Sequence, residues 1–178
     1  MSDKPQPLHT IQEMAESLVN LSLSREVAAF AVRDVPMQAD HTVLEYESRI
    51  LQILGVGWAI SYFMADRPEK QPLTEAYWNR MFDFSKNLSS VVSAALPENF
   101  DYMHVLKQRM DTYLSEFSDL ETPSHSTSSL QNDILTRVGL TFARLCGGPD
   151  DVHLILAGNR LFHLSLEGVK HYLTSVLD

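Results

Sequence analysis

Apolar residues recur at steps of three and four along most of the 178-residue chain, the period of an amphipathic helix. Leu8, Ile11, Met14, Leu18 and Leu21 draw the first stripe. Ser22 to Ser24 interrupts it, Ser24 is placed to cap a short helix through Asp34, and Pro36 closes that segment. Thr42 and Glu45 have capping-box spacing, with Asp40 just upstream. The helix they open carries Leu44, Glu47, Ile50/Leu51, Leu54, Trp58 and Tyr62 on one face. Pro68 and Pro72 bracket a turn, and Thr74 is placed to cap the next helix. Its stripe runs Tyr77/Trp78, Met81/Phe82, Ser85, Leu88, Val91/Val92 and Ala95 until Pro97 ends it. Glu98 opens a further helix, where an acid suits the dipole, and Phe100, Met103, Leu106, Met110, Leu114 and Phe117 are expected to face inward. Ser128 and Gln131 again have capping-box spacing, ahead of Leu130, Ile134, Val138, Phe142 and Leu145. Gly147 is placed as the left-handed stop of that helix, with Pro149 beyond it.

The C-terminal stretch supports two patterns. Pro149, Asp150 and Asp151 suit a helix start, and Val152, Ile155, Phe162, Leu166, Val169, Leu173 and Val176 keep helical spacing. Residues 152–166 also alternate in polarity about Gly158-Asn159, a tight-turn pair, with Ser165 placed to cap a last helix. Because alternation and turn agree, a small hairpin over 152–166 is the expectation. The fold class that follows is mainly α: a single-domain bundle of about six helices over 1–178, with that hairpin before the last helix. The polar linker 121–129 separates an N-terminal helical part, 8–120, from a C-terminal part, 130–178.

Charge narrows the partners. The formal net charge is −9, and the acids concentrate between Glu98 and Glu121, where six face only Lys107 and Arg109. A basic face able to displace counterions from nucleic acid is missing, as is one suited to an anionic membrane surface. The most apolar run, residues 53–65, is 13 residues long, short of the roughly 20 that span a bilayer. The first seven residues hold no apolar secretory segment, and one cysteine rules out an intramolecular disulfide or a cysteine zinc cluster. A cytoplasmic protein is the expectation.

No complete catalytic set is present. Asp101/His104, Asp150/His153, His41/Glu45 and Glu167/His171 have ligand spacing, but their projections do not converge on a bundle core, and no metal or cofactor is expected. Cys146 ends a helix, where the dipole raises a thiol's pKa. Gly147-Gly148 lacks the rest of a phosphate loop, and Asp150-Asp151 suits a helix start. Gly55 and Gly57 precede an aromatic cluster. They permit a close helix crossing or, in the alternative, an apolar ligand gap lined by Gly55, Trp58, Tyr62, Phe63, Trp78 and Phe82. Seven methionines and sixteen aromatic residues, several adjacent on helices, widen the apolar faces. The expected function is therefore a non-enzymatic interaction or regulatory module that self-associates as a homodimer or binds a protein partner. The alternative is a bundle that binds a small apolar ligand or a metal.

Overall fold

The computed structural model of the chain describes residues 9–36, 39–95, 100–117 and 127–177. Seven helices carry them: α1 (Ile11–Ser22), α2 (Arg25–Val32), α3 (His41–Phe63), α4 (Lys70–Ala95), α5 (Tyr102–Phe117), α6 (Thr127–Leu145) and α7 (Val152–Leu177). There is no strand among the described residues. None of these helices is long and apolar enough to cross a membrane.

The axis of the fold is α3. Every residue from Ile50 to Gly57 is buried, and all but Gln52 are apolar, the pattern of a helix enclosed on every side. All six other helices touch it, α7 most extensively. The two glycines explain how close the neighbours come. A Cβ on Gly55 would lie 3.1 Å from Ser165 Cβ of α7, and one on Gly57 would lie 2.5 Å from Trp78 Cζ2 of α4. Polar side chains of α3 complete the break between α1 and α2. Gln52 donates to the Leu21 and Ser24 carbonyls at 2.7 and 3.2 Å, and Arg49 donates to the Leu23 carbonyl. The Leu23 carbonyl thereby gains a partner at the end of α1, and the Leu21 and Ser24 carbonyls, which already accept the Ser24 and Ala28 amides, gain a second.

Helix ends follow local chemistry. Thr10 and Glu13 form a reciprocal capping box on α1, and Ser24 caps α2 as expected. The cap of α3 is Asp40, whose carboxylate accepts from Thr42 and Val43; the Thr42/Glu45 box does not form. The Asp carboxylate two positions earlier takes the free amides of Thr42 and Val43 and moves the start to His41. Thr74 is no cap either. The helix begins at Lys70, and Pro72 sits in its first turn, where a missing N–H costs nothing. Asp101 starts α5 by accepting from the His104 amide at 3.0 Å; the expected stop at Pro97 and start at Glu98 lie outside the described residues. Ser128 lies inside α6, which begins at Thr127, so the end of the expected linker 121–129 is helical and its remainder lies outside the described residues. Gly147 has φ +81°, with Gly148 N–H on the Ala143 carbonyl and Gly147 N–H on the Arg144 carbonyl, the Schellman pairing.

The hairpin over 152–166 is absent; α7 runs unbroken through it. Gly158 serves an approach, not a turn: a Cβ there would meet Phe142 Cβ of α6 at 2.6 Å. Opposite it, Gly139 of α6 faces the Asn159 side chain and the Ile155 carbonyl. Ser165, expected as a cap, is buried in mid-helix and donates to the Leu161 carbonyl at 2.9 Å. The helix start belongs to Asp151, which accepts from the His153 amide at 2.8 Å.

The buried face of α5 also differs from the expected one. Tyr102, Leu106 and Tyr113 are buried, Met103 and Met110 are half-buried, and Leu114 is exposed. The helix is turned so that two tyrosines and Arg109, rather than the methionines, meet α3.

Candidate functional site

The residues expected to line a ligand gap do not gather in one place. Trp58 packs edge-on against Tyr113 of α5 and Phe162 of α7, at 6.0 and 5.7 Å between ring centroids. Trp78 fills the space beside Gly57 and stacks edge-on with Tyr77. Gly55 is closed by α7. Tyr62 is 69% exposed and pairs with Phe63 at the end of α3. Phe82 stands on the outside of α4 under the Lys86 ammonium, 4.6 Å from the ring centroid.

The Asp101 and Asp151 carboxylates are helix caps, and His104 and His153 contribute backbone amides to them. Among the described residues no group of three or more His, Cys, Asp and Glu side chains is gathered. Cys146 is half-buried, and burial, with the Glu47 charge adding to it, pushes its thiol up to about 12.

Sequence reasoning missed the one charge pair with a fully buried member among the described residues. Glu47 of α3 is 3% exposed and takes Arg109 of α5 in a forked contact, Nη2 at 2.7 Å and Nε at 3.0 Å from both oxygens. This hydrogen bonding raises the Arg109 pKa further. The neighbouring Tyr113 is fully buried, and burial and then the Glu47 charge push its phenol above the usual range. Among the described residues its hydroxyl has no hydrogen-bond partner. The signal in the sequence was a carboxylate inside the apolar stripe of α3, which requires a cation from elsewhere.

Two surface features remain. The first is the outer side of the α6–α7 pair. Leu140 follows Gly139, and Leu156 follows Ile155, so both stand one residue past the closest contact between the helices, facing out. Leu140 is 45% exposed, Leu156 51% and Val152 60%. The second is a cleft of ≈ 370 Å³ between α4 and α5, lined in part by Phe82, Lys86, Phe100, Met103, His104 and Lys107. Comparison of the chain with protein-family models, with curated proteins and with solved structures gives no match.

Proposed function

We propose that this chain is a non-enzymatic helical interaction module that forms a homodimer through the outer face of α6 and α7. The observation that carries the reading is the trio Leu140, Val152 and Leu156, large apolar side chains left outside on two long helices that bury much of their remaining apolar surface against the core. Charge selects a second copy as the occupant. Two chains of net charge −9 repel, so they can meet only where carboxylates are absent. The exposed positions Thr136, Leu140, Val152, His153 and Leu156 carry none. The same reading takes the seven helices as one single-domain bundle, since all of them contribute to one core cluster. It places the protein in the cytoplasm, in keeping with its lone free thiol.

Light scattering on a sizing column tests it. The expected mass is twice the 20.1 kDa of the chain, falling to 20.1 kDa in a Leu140→Glu/Leu156→Glu variant with unchanged helical circular dichroism. A wild-type mass of 20.1 kDa at every concentration overturns the proposal. The alternative expectation, a ligand-binding bundle, draws support from a different place, the α4–α5 cleft.

A further inference from the structure

The cleft between α4 and α5 joins an apolar lining to two lysines carried by different helices. Phe82, Phe100 and Met103 supply the apolar surface, and Lys86, His104 and Lys107 stand at it, all three exposed. Neither lysine is in an ion pair among the described residues; Lys86 rests over the Phe82 ring. Asp101, the one acid among the described lining residues, has an oxygen committed to the His104 amide. The backbone amides at the start of α5 are committed as well: Phe100 N–H to Ser93 Oγ at 3.1 Å and Tyr102 N–H to Ser89 Oγ at 3.0 Å. An anion here is therefore held by ammonium groups, not by the free amides that cradle phosphate at a helix start. A volume of ≈ 370 Å³ lies in the range of small-molecule sites, roughly 300–1,000 Å³.

From this we infer that the α4–α5 cleft is a binding site for a carboxylate that carries an apolar chain, with Lys86 and Lys107 on the carboxylate and Phe82, Phe100 and Met103 along the chain. The site is separate from the α6–α7 face, and its test does not depend on self-association.

Decanoate, below its micelle concentration, is the probe, titrated calorimetrically into the full chain. Saturable binding of one decanoate per chain is expected. Decanol should bind at least about tenfold more weakly, and a Lys86→Gln/Lys107→Gln variant should lose about tenfold for decanoate alone. Shortening the acid should weaken binding by about fourfold per methylene. Both lysines are exposed, so unchanged circular dichroism of the variant separates lost charge from lost fold. The Leu140→Glu/Leu156→Glu variant should bind decanoate as the wild type does. Absence of saturable binding, equal affinity for decanol and decanoate, or full affinity in the lysine variant overturns the inference. Tighter binding of decyl phosphate than of decanoate overturns the carboxylate assignment.

Discussion

Replacing Arg109 with methionine removes the counter-charge of Glu47 while keeping much of the arginine's apolar bulk. Glu47 is then a carboxylate with 3% of its side chain exposed and nothing to balance it. Breaking such a pair on one side costs about 3–5 kcal/mol. A ceiling comes from protonation, because the carboxyl escapes the penalty by taking up a proton. At pH 7, holding protonated a group whose unfolded pKa is about 4.3 costs about 3.7 kcal/mol. Arg109 itself is 25% exposed, so water reaches the vacated end and keeps the cost at or below that ceiling. The expected loss is thus about 3 kcal/mol at pH 7, or a fall in Tm of about 6–12 °C.

The direction with pH follows from the same ceiling, because burial without a counter-charge disfavours the charged form of a carboxyl. A group whose folded pKa lies above its unfolded value destabilises progressively as pH rises and is harmless below the unfolded pKa. The ceiling therefore shrinks to about 1 kcal/mol at pH 5. Urea unfolding followed by circular dichroism at pH 5 and pH 7, for wild type, Arg109→Met, Glu47→Leu, and Glu47→Leu/Arg109→Met, measures this. The double variant should recover most of the loss, since no buried charge is left. A deficit for Arg109→Met that is equal at the two pH values, or additive with Glu47→Leu, would refute the reasoning.

Gly139→Ala should lower stability by about 1–2 kcal/mol in urea unfolding despite alanine's higher helix propensity, because the new Cβ meets the backbone carbonyl of Ile155 at 2.5 Å, which cannot swing away. Gly168→Ala is the matched control: its nearest neighbour is the movable end of Leu21 at 3.1 Å, so stability should hold or rise by up to about 1 kcal/mol, and a loss at Gly168 equal to that at Gly139 would count against the crossing argument. Cys146, with its thiol pushed up to about 12, should react with a chromogenic disulfide at pH 8 at least about fortyfold more slowly in the native chain than in urea, and rapid native labelling would contradict that burial.

Where the determinants are neighbours in sequence, the fold was legible. Ser24, Gly147 and the closing of α2 near Pro36 were readable because a cap or a left-handed stop acts within one turn. Where two local signals competed, the reading failed. Thr42/Glu45 lost to Asp40, two positions away. Gly158-Asn159 has the composition of a turn, yet its glycine answers to Phe142, sixteen positions earlier (158 − 142), a demand that periodicity does not carry. On α5 the methionine stripe looked the more apolar, and only Glu47, 62 positions back, shows why the Arg109 side turns inward. The cleft was illegible for the same reason: Lys86 and Lys107 belong to different helices, and their proximity is a product of packing.

The encased position of α3 has a consequence for synthesis. Phe63, its last residue, leaves the ribosome 89 positions before Val152, the first residue of its principal cover (152 − 63). At ordinary elongation rates that is an interval of roughly 5–20 s. For that time the apolar stretch Ile50 to Gly57, interrupted only by Gln52, has no α7 to lie against. Its maturation is therefore a late, C-terminus-dependent event, and a stop codon anywhere ahead of Val152 yields a sticky fragment rather than a shorter working protein.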